Sequence, residues 1–209
     1  RSRQWNTALF DALALPDCFP PLLESVEIAG TLTSQAAQAC QLPEGTPVIA
    51  GLADMAASVL GCGMFDNTRL AITLGTSGQI TQIVESPKRE LHGQFTYHPH
   101  ALPDKTYVMA SIFTGGLALQ WLAEVLASWT DMSLQVAVER IVEQAAIAPV
   151  GSRGVTFLPH LVGAGSPTFD TTAKAGFYGL VRAHRGAELS RAVLEGVAFD
   201  IRHCLEHLG

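Results

Sequence analysis

Two turns that can carry chemistry lie within residues 47–78, which read PVIAGLADMAASVLGCGMFDNTRLAITLGTSG. In the first, Asp54 follows an apolar run short enough for a buried strand (residues 47–53) and precedes a small-residue helical run (residues 55–60). Gly61 then ends the predicted helix. The pattern therefore places the Asp54 carboxylate where a strand passes into a helix, which is where α/β sheets bind their ligands.

The second turn is Gly75-Thr76-Ser77-Gly78, set between the apolar runs 70–74 and 80–84. Two predicted strands joined by so short a turn are typical of a β-hairpin. Its glycines allow close approach of a ligand, and its amides and two hydroxyls can donate hydrogen bonds to phosphate oxygens. Taken alone, an aspartate in this position is more often a helix N-cap than a catalytic base, and the tetrapeptide is usually an ordinary turn.

Composition limits the classes of partner. Of the 209 residues, 48% are hydrophobic and only 15% are charged, which favours a well-buried sheet or a covered interface. The net charge is −6 and Lys and Arg do not cluster, so we expect neither nucleic acid nor an anionic membrane surface as a partner. A bound nucleotide would then depend on local amides and a metal ion.

The residues that most often bind metals show no ligand pattern. The cysteines are far apart and form no Cys-x-x-Cys, so we interpret them as reduced thiols of a cytoplasmic protein: Cys18, Cys40, Cys62 and Cys204. His203 and His207 are four residues apart on a predicted helix and could bind a metal, but a surface pair near a helix C-terminus is the favoured interpretation. We therefore predict no metal-ligating residues.

Along the rest of the chain, periodicity predicts alternating helices and strands. A helix at residues 5–13 ends at prolines, and a strand at 28–32 leads into a helix capped by Thr33 or Ser34. The last predicted helix carries an apolar stripe, with charged residues opposite it. The stripe is Leu189, Val193, Val197, Ile201 and Leu205, and the opposite face is Glu188, Arg191, Glu195, Arg202 and Glu206. Other predicted strands are 94–98, 107–111 and 155–158, the other helices run from Gly116 to about 127 and over 132–148, and a long loop covers 159–172.

Several motifs together resemble a known family. Asp54 and the turn at residues 75–78 are followed by Ala175-Gly-Phe-Tyr-Gly-Leu180, Glu188-Leu189 and Ala192-Val-Leu-Glu195. The chain thereby resembles the C-terminal domain portion of the FGGY carbohydrate kinases, and is more similar to the xylulokinase-like pentulose kinases than to the glycerol kinases. The resemblance implies a ribonuclease-H-like α/β fold of the actin-like ATPase type, with a mixed sheet and flanking helices. It also implies a connector at residues 1–45 from a missing N-terminal kinase domain, and a C-terminal domain at 46–209 truncated before the adenine-binding turn.

The same resemblance implies an activity. It is the transfer of the ATP γ-phosphate to a hydroxyl of a pentulose or related sugar, with Mg²⁺, and with Asp54 as general base. Gly75, Thr76, Ser77 and Gly78 match the turn that holds the ATP phosphates, and Gly116 and Gln120 match positions that contact ATP. For Thr114-Gly-Gly116, glycines needed only for packing are an equal explanation, and Gln120 alone looks like an ordinary polar helix residue.

Two departures from the family pattern leave the substrate and the activity open. Met55 stands where relatives tend to have an Asn or Gln that touches the sugar, so Asp54 and Met55 are the expected substrate contacts while the sugar itself is undefined. Gly163-Ala-Gly-Ser166-Pro167 stands where many relatives have Gly-Glu-Arg-Thr-Pro. The chain does not begin with Met, and we call the expected longer polypeptide the parent protein. We expect the isolated chain to be inactive, a homodimer stays open, and the alternative function is a non-catalytic FGGY-like binding or assembly module.

Overall fold

A computed structural model describes residues 4–16, 18–85 and 93–208. The chain forms two compact units. Unit 1 is Arg1–Gly61 with His100–Asp104, and unit 2 is Cys62–Pro99 with Lys105–Gly209. Within the part of the chain that the structure describes, no helix combines the length and the apolarity needed to cross a membrane.

Unit 1 alternates short helices with the two strands of a small sheet. Its elements are α1 (Thr7–Ala12), β1 (Ile28–Thr31), α2 (Ser34–Cys40), β2 (Pro47–Ile49) and α3 (Asp54–Gly61). Thr33 accepts a hydrogen bond from the Ala36 amide at the start of α2, which confirms the predicted cap. The predicted burial of β2 is wrong, because all three of its residues are exposed. Among the described residues β1 and β2 pair only with each other, antiparallel, so neighbouring strands do not cover them.

Unit 2 is built on a four-stranded sheet. Its strands β3 (Leu70–Leu74), β4 (Gly78–Val84), β5 (Thr96–Pro99) and β6 (Thr106–Ile112) lie in the order β3-β4-β6-β5, and each pairing is antiparallel. One face of the central strands is buried at Gly78 and Ile80 of β4 and at Val108, Ala110 and Ile112 of β6, as expected where a sheet meets a core, and Thr81, Ile83 and Tyr107 of the other face are buried as well. The first of these faces contributes Ile80, Val108, Ala110 and Ile112 to the core. That face packs against the end of the last helix, in a cluster that includes Ile80, Val108, Ile112, Cys204 and Leu208.

Three helices and a small two-stranded sheet complete unit 2. They are α4 (Leu117–Ser128), α5 (Leu134–Ile147), β7 (Thr156–Leu158), β8 (Gly176–Tyr178) and α6 (Gly186–Leu208). The predicted apolar stripe of α6 is confirmed, since Val193 and Val197 are buried and Leu189, Ile201 and Leu205 are half-buried. The charged face opposite the stripe is not uniformly solvent-exposed, because Glu188 is only 6% exposed. Its carboxylate folds back onto the Arg185 amide at the start of the helix.

Candidate functional site

Asp54 is the first residue of α3, in unit 1. Its Oδ1 accepts a hydrogen bond from the Met55 amide at 2.6 Å, and its carbonyl accepts one from the Ser58 hydroxyl at 3.0 Å. A negative charge is favourable at the N-terminus of a helix, so stabilisation of α3 is by itself a reason for an aspartate at this position. It engages only one carboxylate oxygen, however, and the second has no partner among the described residues. The side chain is exposed and can therefore act both as a helix-start residue and as a proton acceptor.

The second predicted turn lies in unit 2 and joins β3 to β4. Leu74 pairs with Gly78, so the loop of the hairpin consists of Gly75, Thr76 and Ser77. The Gly75 amide donates to the Ser77 carbonyl at 2.8 Å, which closes the loop on itself. All three loop residues are exposed. The predicted hairpin is confirmed.

The loop carbonyls point at the start of α4. The Gly116 amide donates to the Gly75 carbonyl at 2.6 Å, and the amides of Gly115 and Leu117 donate to the Thr76 carbonyl at 3.0 and 3.1 Å. The first amides of an α-helix have no partner within the helix, and Gly116 offers no side-chain cap. Two carbonyls of a distant hairpin therefore supply the cap of α4.

This cap determines where the loop amides point. In a planar trans peptide the carbonyl and the following N–H lie on opposite sides of the chain. Because the Gly75 and Thr76 carbonyls face α4, the Thr76 and Ser77 N–H groups face away from it. Within the described ranges these two amides and the two hydroxyls have no partner. Clustered backbone donors of this kind form the concave surfaces that bind anions.

Gly115 and Gly116 allow the hairpin to approach α4 closely. A Cβ added at Gly115 would lie 2.9 Å from atoms of Leu74, Gly75 and Ser77, and one at Gly116 would lie 2.8 Å from the Gly75 carbonyl oxygen. Real Cβ atoms essentially never come so near another heavy atom. The packing explanation for this glycine pair thus has direct support. Sequence reasoning missed the part played by Gly115, although the doublet itself was the signal.

The remaining predicted residues are distributed over both units. Gln120 lies one turn into α4, where its amide donates to the Gly116 carbonyl at 3.0 Å and its exposed side chain donates to Glu124 at 2.9 Å. Met55 is half-buried in α3. The structure brings the hairpin, Gly115 and Gly116 together in unit 2, with Gln120 a turn away, whereas Asp54 and Met55 belong to unit 1.

The small residues of the loop after β7 pack against the sheet. The Ser166 amide donates to the Ser111 carbonyl at 2.7 Å, and the Ser111 amide donates to the Ser166 hydroxyl at 3.0 Å. A Cβ at Gly165 would overlap the Ser111 carbonyl oxygen. This segment is therefore a tight support for β6.

Among the described residues, acidic and metal-binding side chains do not form a cluster at the hairpin. The described ranges hold no group of three or more His, Cys, Asp or Glu side chains able to bind a metal ion. On α6, burial raises the pKa of Asp200, and the positive charges of His160 and His203 only partly oppose this effect.

An α/β scaffold whose hairpin turns amides and hydroxyls outward presents a cluster of donors of the kind that binds anions. Residues 70–209 match the model of the C-terminal domain of the FGGY family of carbohydrate kinases, and residues 1–61 match the model of its N-terminal domain. The chain belongs to the FGGY family of carbohydrate kinases, as the sequence motifs predicted. The predicted boundary at residue 45 stays a prediction. The two family models match the chain on either side of residues 62–69.

Xylulose and gluconate kinases are among its relatives. The chain is 34% identical over 204 residues to the xylulose kinase of Escherichia coli K12, covering 95% of this chain and 40% of that protein. It superposes with a TM-score of 0.87 on the ligand-bound xylulose kinase of Lactobacillus acidophilus, at 28% identity, covering 98% of this chain and 41% of that one. The gluconate kinase of the same organism gives the same TM-score and identity, with 98% and 40% covered. These similarities confirm the actin-like ATPase fold, and the chain spans about two fifths of the length of the curated relatives it matches.

Proposed function

We propose that the parent protein is an ATP-dependent carbohydrate kinase that transfers the γ-phosphate to a hydroxyl of a pentulose or related sugar. The observation that carries the proposal is the hairpin of residues 75–78, whose carbonyls cap α4 while its amides and hydroxyls stay available. Phosphoryl transfer depends almost entirely on positioning and on charge stabilisation, so a preformed set of donors is the feature it needs. Membership of the FGGY family supports the same conclusion.

In this proposal the hairpin holds the phosphates of ATP. Thr76 and Ser77 donate hydrogen bonds to phosphate oxygens through their amides and hydroxyls, while Gly75 and Gly78 keep the loop narrow. Gly116 and Gln120 are four residues apart and so lie on the same face of α4, where they contact the nucleotide. Mg²⁺ would neutralise charge on the phosphates. It would be bound mainly through the phosphate oxygens of the nucleotide.

Asp54 is the proposed general base. Its Met55 contact fixes one carboxylate oxygen and leaves the other able to take the proton of the attacking sugar hydroxyl. A positioned base contributes about 10² to 10⁴ in rate. Met55, the next residue, offers the substrate a polarisable apolar surface in place of an amide, and thereby disfavours a sugar that needs a hydrogen bond there.

The test is sugar-dependent ATP turnover by the parent protein, with D-xylulose and gluconate as the first sugars because relatives carry those names. We expect Asp54→Asn to lower kcat by about 10² to 10⁴ while the KM for ATP changes little. Asp11→Asn, an exposed aspartate of the same unit, is the matched control. Unchanged turnover in Asp54→Asn would refute its role as the base. A wild-type protein without sugar-stimulated turnover would instead favour the non-catalytic binding module.

A further inference from the structure

We propose that the start of α4 polarises the phosphate-binding amides of the hairpin, and that Gly115 is the positioning residue that makes this possible. The inference rests on the proposed function, because it concerns how the same hairpin gains its affinity for ATP. It assigns α4 a role different from direct anion binding by a helix N-terminus. The ligand would be held by the loop, and the loop would be set by the helix.

Direct binding by α4 is prevented by its own contacts. The amides of Gly115, Gly116 and Leu117 all donate to loop carbonyls, and the Ala118 amide donates to the Gly115 carbonyl at 3.1 Å. The amides that a free helix start would offer to an anion are therefore taken by the protein. A phosphate can meet the positive end of the helix only by way of the loop.

The peptide groups of the loop can transmit the polarising effect of the helix start to the ligand. The Gly75 carbonyl that accepts from Gly116 belongs to the same peptide group as the Thr76 N–H. The Thr76 carbonyl, which accepts from Gly115 and Leu117, belongs to the same peptide group as the Ser77 N–H. Hydrogen bonds in series polarise one another, so a peptide group that accepts at its oxygen becomes a stronger donor at its nitrogen. Both outward amides are strengthened in this way.

Gly115 controls the contact although it cannot reach a ligand. It is buried, whereas Gly116 is exposed. A methyl group at Gly115 would lie 2.9 Å from atoms of three different hairpin residues, so it would push the whole turn away from α4. The loop amides would then lose both their orientation and their polarising partners.

The first experiment compares ATP and adenosine binding to the parent protein by calorimetry. We expect Gly115→Ala to weaken ATP binding by about tenfold or more, equivalent to at least one lost phosphate hydrogen bond, and to leave adenosine binding unchanged. Gly186→Ala is the matched control, because a Cβ there has no neighbour within 4 Å and the residue lies in the same unit. ATP affinity equal to that of the control would overturn the inference, as would an equal loss of adenosine binding.

A second measurement on the wild-type protein does not depend on the variant folding. Hydrogen exchange resolved to single amides should be slow at Gly115, Gly116 and Leu117 in the free protein and fast at Thr76 and Ser77. Addition of ATP and Mg²⁺ should slow exchange at Thr76 and Ser77. Equally fast exchange at all five amides would overturn the inference. Failure of the wild-type protein to bind ATP would refute the proposed function as well, whereas ATP binding without the expected exchange pattern refutes the inference alone.

Discussion

Glu195 is a half-buried carboxylate of α6 that binds the loop before β7, and we expect Glu195→Gln to lower the free energy of unfolding. Its Oε1 accepts from the Gly151 amide at 3.0 Å and from Arg191 Nε at 2.7 Å, and its Oε2 accepts from the Ser152 hydroxyl at 2.9 Å. A hydrogen bond to a charged group contributes about 1.5–3 kcal/mol and a neutral one about 1 kcal/mol, so each bond loses about 1 kcal/mol. Because the three bonds share one carboxylate they do not add fully, and we expect the free energy of unfolding to fall by about 2 kcal/mol.

The same helix provides a matched control. Arg202 and Glu206 repeat the i,i+4 pairing with the same 2.7 Å separation of Nε and Oε1, but their side chains are 73% and 55% exposed, against 25% and 16% for Arg191 and Glu195. An exposed pair contributes about 0–1 kcal/mol. Urea denaturation should therefore show a much smaller loss for Glu206→Gln than for Glu195→Gln. Equal losses would refute the argument from burial.

The pH dependence supplies an independent check on the charge of Glu195. Burial acts to raise the pKa of this carboxyl, but the hydrogen bonds from Gly151, Arg191 and Ser152 outweigh it and leave the pKa below its usual value of 4.5. A carboxyl with a lowered pKa in the folded state stabilises fully above the unfolded-state pKa, and this stabilisation is lost as the pH falls through the folded-state value. The stability difference between wild type and Glu195→Gln should thus be constant near neutral pH and shrink below about pH 4.5. A difference that persists undiminished at about pH 3 or lower would contradict the assignment.

Two further predictions concern the core of unit 2. Phe157 is 1% exposed, and its ring centroid lies 5.8 Å from that of Trp121 and 4.7 Å from that of Phe177. Phe157→Ala should lower the free energy of unfolding, measured by urea denaturation, by about 3–5 kcal/mol. A loss below about 1 kcal/mol would be inconsistent with this packing. Burial, together with the charge of Asp200, raises the pKa of the Cys204 thiol to about 12. A thiol reagent at about pH 8 should then modify Cys18, Cys40 and Cys62, which are exposed, and spare Cys204 until the protein is denatured. Mass spectrometry reads the number of labels, and equally fast labelling of all four would contradict the burial of Cys204.

Features encoded locally were predictable from the sequence. The Thr33 cap, the β3–β4 hairpin and the apolar stripe of α6 each depend on residues a few positions apart, and each lies where the pattern placed it. The cap of α4 was not predictable in this way. It joins residues 75–76 to residues 115–117, about forty positions later, and uses backbone atoms that every residue carries. The one sign of this cap in the sequence is the pair of adjacent glycines that its close packing requires.

The acidic residues of α6 show a different limit of pattern reasoning. Glu188 and Glu195 were predicted to lie opposite the apolar stripe, and the 3-10 turn Ser152–Gly154 interacts with that face. Helical periodicity states which residues share a side of a helix, and it contains no information on what covers that side. The polar contacts that a helix makes with a distant loop therefore cannot be predicted from helical periodicity.

Two carboxylates of α6 contact that turn. The backbone is left-handed at four successive residues, with φ of 79° at Gly151, 47° at Ser152, 51° at Arg153 and 90° at Gly154. Each non-glycine residue in this region costs about 1–2 kcal/mol, so the conformation requires support from outside the turn. Glu195 binds the Gly151 amide and the Ser152 hydroxyl, and Glu188 lies 3.5 Å from Arg153 Nε. Seven residues separate the two acids, which is about two helical turns, so both lie on one side of α6 and hold the strained turn that leads into β7.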